Sequence, residues 1–460
     1  MSGAYTRRML QPTRYRFSRA LLAHGWRQDV VITIEGGVIV GIDDDAGEAI
    51  AVAGAAVPGM PNVHSHAFQR AMTGLAEARS SATDSFWTWR ETMYGLAQRM
   101  TPELLNTVAA QLYVEMLKAG YTRVCEFHYL HHRPDGTRYE DRAIMSHALL
   151  DAALSAGIGV TLLPTLYQTS GFGGQPPADR QRQFVMSTEE FVQLFETLHA
   201  ARSSADIGIA IHSLRAVPPD ALAQLLASSS IETSAGLHIH IAEQQREVDE
   251  CVRQFGQRPI EWLLGHASVD DRWCLVHATH ASAAELSALA ASGAIAGLCP
   301  TTEANLGDGV FALTRYLEQG GKFAIGSDSH ISLSPAEELR WLEYQARLAR
   351  HERNVLATED RSSGARLWTD ACRAGAQAAG IAAGALAPGL RADLIVLDTE
   401  SPALIGRSDD ALLDTFVFAG LPSPVRDVMV SGRWVVQDGH HFAEATIAAA
   451  FRRAMRQLFS

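Results

Sequence analysis

The middle of the chain alternates short apolar runs with amphipathic stretches, a pattern that predicts strands and helices in turn. Eight apolar runs read as strands, ending near Val63, Phe127, Thr165, Ile211, Ile241, His277, Cys299 and Gly326. Helical spacing lies between most of them, for example over Glu103–Ala119 and Ser282–Ala291. Parallel strands need a crossover between neighbours, so repeated strand–helix units favour a parallel sheet. Eight such units over about 300 residues match a (β/α)₈ TIM-type barrel. The Gly-rich run Ser170–Gly174 and the polar run Ser80–Ser85 read as loops that follow strands.

The two ends have a different pattern. Residues 28–42 read as a hairpin of β-branched runs turning at Gly36-Gly37. Residues 389–398 and 426–436 are further short strands, and Ile447, Phe451, Met455 and Leu458 recur at helical spacing in 443–459. These ends predict one small β-sandwich-like domain assembled from residues 1–57 and 386–460, around a barrel of 58–385.

Composition narrows the class. In 460 residues, 47% hydrophobic and 20% charged positions suit a globular protein with a large core. The formal net charge of −12 argues against a nucleic-acid partner, because phosphate binding needs a basic face. Five scattered cysteines with no CxxC pair point away from a disulfide framework or a cysteine metal site, and towards a reducing compartment. No signal-peptide core follows Met1, and no run is apolar and long enough to span a membrane; the expected location is cytoplasmic.

Four strand ends carry candidate chemistry. Pro61-Asn62-Val63-His64-Ser65-His66 ends a strand in His-x-His. Residues two apart on a strand face the same side, so His64 and His66 can chelate one ion. Leu237-His238-Ile239-His240-Ile241-Ala242-Glu243 offers His240 as a further ligand and Glu243 as a general acid/base. His238 shares that face, and reads as a core histidine lower in the barrel. Glu243 has a simpler reading as a carboxylate favoured by a helix N-terminus. His277, in Cys274-Leu275-Val276-His277, is a ligand or a histidine that orients water and carries protons. Asp328, in Gly326-Ser327-Asp328, offers a hard oxygen ligand and a proton acceptor, with a helix N-cap as its plain reading. His280 reads as a loop residue and His330 is left without a role. Position unites these signals: all lie at C-terminal strand ends, the face on which barrel active sites form.

This arrangement resembles the amidohydrolase superfamily. Gly384-Ala385-Leu386-Ala387-Pro388-Gly389-Leu390-Arg391-Ala392-Asp393-Leu394 is similar to that superfamily's return into its small β-domain. Within it, the chain looks like the formimidoylglutamate deiminases of histidine degradation. The stretches that carry this are Met60–Met72, Ser85-Phe86-Trp87-Thr88-Trp89-Arg90, Cys125–His132 and Ile211-His212-Ser213-Leu214-Arg215.

The resemblance implies a catalytic metal held by His64, His66, His240 and Asp328. It also implies hydrolysis of N-formimidoyl-L-glutamate to N-formyl-L-glutamate and ammonia. Asp328 and His277 would take the proton of water, and Glu243 would deliver one to nitrogen. Arg90, Tyr129, His212 and Arg215 would hold the two substrate carboxylates, with Gln69 near the formimidoyl end. Trp87 and Trp89 are expected to pack rather than to touch substrate.

Binuclear members commonly bridge two metals with a carboxylated lysine at the end of strand 4 or nearby. This chain has only Lys118 and Lys322, in a helix and at the start of strand 8, so one divalent ion is expected, with zinc foremost. A homodimer is expected by resemblance. Two other readings stand beside this one: an aminohydrolase of a purine, a pyrimidine or another amidine, and a barrel scaffold without catalysis.

Overall fold

The computed structural model describes residues 12–44, 47–78, 85–201, 206–229, 232, 234–420 and 422–460. The loop expected over Ser80–Ser85 lies outside these, apart from Ser85. Parallel strands β1 (Met60–Ser65), β2 (Tyr121–His128), β3 (Gly159–Leu166), β4 (Ile209–Ile211), β5 (Leu237–Ile241), β6 (Trp273–His277), β7 (Ile295–Leu298) and β8 (Lys322–Ile325) pair in sequence order. Each strand end falls within two residues of its expected position. The strands are buried almost throughout, as a sheet covered by helices requires. Pro102–Ala119 shows how the sequence sets such a helix. Thr101 caps its first turn, proline follows at the first helical position, and Gly120 ends it at φ 111°.

The barrel closes between β8 and β1 by a narrow seam. The Asp328 N–H donates to the His64 carbonyl at 2.9 Å, and the His66 N–H donates to the Asp328 carbonyl at 3.2 Å. Gly326 permits this approach, since a Cβ there would stand 2.7 Å from His64 Cβ. Beyond the strand ends the backbone turns sharply. Ala242, His277, Ala278, Asp328 and His330 all adopt positive φ, a conformation that stores strain in residues other than glycine.

The chain ends build a second sheet. Its order runs His440–His441, Arg433–Gln437, Val425–Val430, Leu394–Leu397, Ile50–Pro58, Thr13–Leu22, Gly25–Glu35 and Val38–Asp43. All neighbours are antiparallel except Thr13–Leu22 beside Ile50–Pro58. Phe17, Val30, Ile32 and Met429 belong to its own apolar core. Among the described residues no helix is long and apolar enough to cross a membrane.

Trp368, on the helix Ser363–Ala378, joins the two bodies. It is fully buried, and its indole N–H donates to the Pro58 carbonyl at 3.0 Å, where the second sheet leads into β1. Trp368→Ala should destabilise the protein by about 3–5 kcal/mol through the lost packing. Trp368→Phe should cost about 1–2 kcal/mol, chiefly the hydrogen bond. Urea denaturation followed by circular dichroism measures both, and an unshifted midpoint for Trp368→Ala would remove this joint from the account of stability.

Candidate active site

At the C-terminal mouth of the barrel, His64 and His66 from β1, His240 from β5 and Asp328 after β8 meet. His64 Nε2 lies 3.0 Å from His240 Nε2 and 3.4 Å from Asp328 Oδ1; His66 Nε2 lies 3.5 Å from the same oxygen. The outer ring nitrogens fix the tautomers. His66 Nδ1 is 2.9 Å from the Phe127 carbonyl, and His240 Nδ1 is 2.9 Å from the His212 carbonyl. A carbonyl only accepts, so both Nδ1 atoms carry hydrogen and both Nε2 atoms present lone pairs inward.

Burial, then neighbouring histidines, pushes His64 and His240 well below the ordinary histidine range; burial also lowers His66, against the pull of Asp328. The imidazoles are therefore neutral, as ligation requires. Neutral imidazole nitrogens gathered beside a carboxylate could hold a divalent cation. The residues fit the ion that the sequence implied.

A second cluster lies beside this nest. His277 Nε2 stands 3.9 Å from Asp328 Oδ2 and 3.8 Å from Glu243 Oε1, while its Nδ1 lies 3.2 Å from Glu303 Oε1. Burial opposes a charge on His277, yet Glu243, Glu303 and Asp328 raise it to about 10. Burial raises the Glu243 carboxyl to about 7, against the attraction of His277. Glu247 accepts the N–H groups of Ala242 and Glu243 at 3.2 and 3.3 Å, which holds the strained turn after β5. His277, Cys299 and Glu303 also lie close enough to share a metal. The hydrogen bond between His277 and Glu303, and a Cys299 thiol that burial holds well above its ordinary range, speak against ligation there.

The pocket over the nest is lined by Gln69, Arg90, Tyr129, His212 and Arg215, together with His66, His240, Glu243, His277 and Asp328. Arg215 is buried at 6% exposed, and Arg90 is half-buried, with its Nε and Nη1 buried without a partner. Gln69 donates to the Tyr129 hydroxyl at 3.0 Å and leaves its own Oε1 buried without a partner. The tryptophans pack as expected, both against Phe86. Trp89 lines the pocket, and the Arg90 guanidinium lies 4.5 Å from the centre of the Trp87 ring, with Arg246 at 4.4 Å. They sit beside Arg90 because residues of the helix Phe86–Ala97 line the pocket.

His238 is a buried core histidine bonded to the Ala378 carbonyl at 2.9 Å. His280 lies in a loop. Sequence reasoning missed Glu303, Tyr94, Tyr167 and Gln181. Gln181 ties the hydroxyls of Tyr94 and Tyr167 together at 3.1 and 2.6 Å, and both tyrosines line the pocket. Glu303 had one available signal, its place shortly past the end of β7 at Leu298-Cys299-Pro300.

Residues 55–435 match the Amidohydrolase family. The chain is 52% identical over 446 residues to formimidoylglutamate deiminase of Pseudomonas aeruginosa, covering 96% of this chain and 98% of that protein. The crystal structure of an amidohydrolase from Brucella melitensis, 45% identical, superposes with a TM-score of 0.92 over 97% of this chain and all of that one. Atrazine chlorohydrolase from Arthrobacter aurescens, solved with zinc, shares the fold at a TM-score of 0.83 and 21% identity, over 96% of this chain and all of its own. With the family match spanning most of its length, this chain belongs to the amidohydrolase family.

Proposed function

We infer that this chain hydrolyses N-formimidoyl-L-glutamate to N-formyl-L-glutamate and ammonia, as a step of histidine degradation. The observation that carries the reading is the pair of arginines lining the pocket beside the ligand nest, Arg215 buried and Arg90 half-buried. A neutral heterocycle gives no reason to line the pocket with two guanidiniums, whereas a substrate with two carboxylates does. The extended identity with formimidoylglutamate deiminase supports the same substrate.

His64, His66, His240 and Asp328 would hold one divalent ion, and zinc suits three imidazoles with a carboxylate. When bound, such an ion supplies Lewis acidity and makes water a nucleophile near neutral pH. A single ion is expected because Lys118 bonds to Glu444 at 2.7 Å and Lys322 to Gln377 at 3.0 Å, so neither serves as a bridge. Arg90 and Arg215 would clamp the carboxylates with Tyr129 and His212, while Gln69, with its free carbonyl oxygen, receives an N–H of the formimidoyl group.

Water attacks the formimidoyl carbon and Asp328 takes its proton. His277, between Asp328 and Glu243, orients the water and links the two carboxylates. Glu243 protonates the imino nitrogen as water adds. The proton taken by Asp328 passes through His277 and the ionised Glu243 to the same nitrogen. The C–N bond breaks to release ammonia, and the hydroxyl left on the carbon returns its proton to Glu243 as the carbonyl forms. The raised Glu243 carboxyl suits a group that must be protonated at one stage and ionised at the next. The same reading takes the protein as a cytoplasmic homodimer. Trp341, Tyr344 and Leu348, exposed and spaced along one face of the helix Pro335–Arg350, supply an apolar stripe for self-association.

An ammonia-release assay tests the substrate, comparing N-formimidoyl-L-glutamate with N-formimidoyl-L-aspartate and guanidino analogues. The glutamate derivative should give the highest kcat/KM; equal or greater turnover of a neutral amidine would sink the dianion reading. Arg215→Ala should lower kcat/KM about 10- to 150-fold, the loss of a hydrogen bond to a charged partner. Unchanged kinetics would remove Arg215 from the clamp. Glu243→Gln should keep its metal, by elemental analysis, and lose about 10²- to 10⁴-fold in kcat. Persisting turnover would transfer the proton-delivery role elsewhere.

A further inference from the structure

Residues that alternate with the proposed ligands form a second, hidden structure. Ser65 stands between His64 and His66, Asn62 precedes them, and Ser327 and His330 flank Asp328. All four are fully buried, as is Glu126 on β2 with 2% exposure. They touch one another in series. Asn62 Nδ2 lies 2.6 Å from Ser327 Oγ, Ser327 Oγ 3.0 Å from His330 Nδ1, His330 Nε2 3.3 Å from Ser65 Oγ, and Ser65 Oγ 2.6 Å from Glu126 Oε2.

The direction of every bond in this series follows from its ends. The Asn62 amide nitrogen only donates, so Ser327 Oγ accepts there and turns its own O–H to His330 Nδ1. His330 then carries its hydrogen on Nε2 and donates to Ser65, whose O–H goes to the Glu126 carboxylate. No donor meets a donor anywhere along it. The two ends grip the backbone that carries the ligands. Asn62 Oδ1 receives the N–H of His64 at 3.2 Å and of Ser327 at 3.1 Å. Glu126 receives the N–H of Ala67 at 2.6 Å and the hydroxyl of Tyr113 at 3.1 Å. His66 is thus bracketed, with Ser65 held on one side and Ala67 on the other by one carboxylate. Phe127, the next residue on β2, takes the His66 ring hydrogen.

We propose that Asn62, Ser327, His330, Ser65 and Glu126 act together as a positioning chain that holds the ligands of β1 and β8 at one mutual angle. It rests on the reading of His64, His66, His240 and Asp328 as metal ligands. Because each hydroxyl and ring nitrogen can satisfy its neighbours in one direction only, loss of any link frees the others to turn. The ligands then lose their shared geometry while the fold around them persists. His330 is the joint between the two strands, and its ring is the one group that spans from Ser327 to Ser65.

The test uses full-length Ser65→Ala, Glu126→Gln and His330→Phe, with His66→Ala as the ligand control. Each is stripped of metal and titrated with Co²⁺ against a chelator. Glu126→Gln is nearly isosteric, but its amide sets a donor against Ser65 or Ala67. The positioning variants should bind Co²⁺ about 10- to 100-fold more weakly, as losses of ligand-orienting partners do. Their visible Co²⁺ absorption should shift, and kcat should fall while KM for formimidoylglutamate stays within about twofold, since the arginines lie outside the chain. Folded variants with wild-type Co²⁺ affinity and spectrum overturn the proposal. Where His330→Phe does not fold, Ser327→Ala replaces it: weaker Co²⁺ binding with a shifted spectrum supports the chain, and wild-type behaviour overturns it. His66→Ala separates the two readings: wild-type Co²⁺ affinity in that variant overturns the ligand assignment, while its loss alongside unaltered positioning variants overturns the chain alone.

Discussion

The barrel is closed by the backbone of the residues whose side chains meet in its mouth. Asp328 exchanges hydrogen bonds with His64 and His66 across the seam between β8 and β1, with no other ladder joining those strands among the described residues. One short contact therefore does two things. It completes the parallel sheet, and it brings a carboxylate within 3.5 Å of two imidazoles. A shift of the last strand by one residue would turn Asp328 to the opposite face, because side chains alternate along a strand. Closure and site geometry are the same constraint. Gly326 meets it by having no Cβ, and the left-handed backbone of Asp328 and His330 meets it by strain.

Electrostatics divides the mouth into two halves. On the β1 and β5 side, burial keeps three imidazoles neutral, and the carbonyls on His66 and His240 direct their Nε2 lone pairs inward. On the β6 and β7 side, four acidic groups crowd around His277. Glu243, Glu303 and Asp328 face its ring, and Asp308, held by Gln244, is pushed up to about 9 by burial and by Glu243. The first half could hold a cation, and on the proposed reading the second shares protons. Neither can be had from one environment, since a medium that strips charge from histidine also strips it from carboxylates. The structure resolves this by placing His277 among acids and the other histidines among aromatic rings such as Phe127.

How much of this could be read from the chain depends on distance along it. The strands announced themselves because a buried parallel strand is a local apolar run, and the observed ends lie within two residues of those expected. The groups that meet at the mouth were legible for a related reason. A strand end in a barrel has only one place to be, so a histidine or aspartate there is already located. The helix Phe86–Ala97 was harder. Its pattern shows an aromatic run, but only the tertiary path puts Trp89 in the pocket and Trp87 against Arg90. Glu303 offered only its place shortly past β7, and Gln181 and the series from Asn62 to Glu126 offered no signal. Their meaning lies largely in hydrogen bonds between distant positions, 26 apart for His277 and Glu303 and 265 for Asn62 and Ser327, and no spacing rule reaches that far.

The separation between strands and connecting segments also explains what can vary. The nest and the proton groups sit on or directly after β1, β5, β6 and β8, where backbone pairing fixes them. Arg90 comes from a helix laid over the mouth, and Arg215 from the turn after β4. These segments tolerate change that the strands do not, because loops carry few of the bonds that close the barrel. Relatives at 21% identity keep the fold to a TM-score of 0.83. A barrel of this kind holds its reacting centre constant and alters its substrate through the parts that cover it. Trp87, stacked on Arg90, belongs to that covering part. On the proposed reading, the chemistry of this chain is set by the strand ends, and its preference for a doubly acidic substrate by two arginines that the strands themselves do not supply.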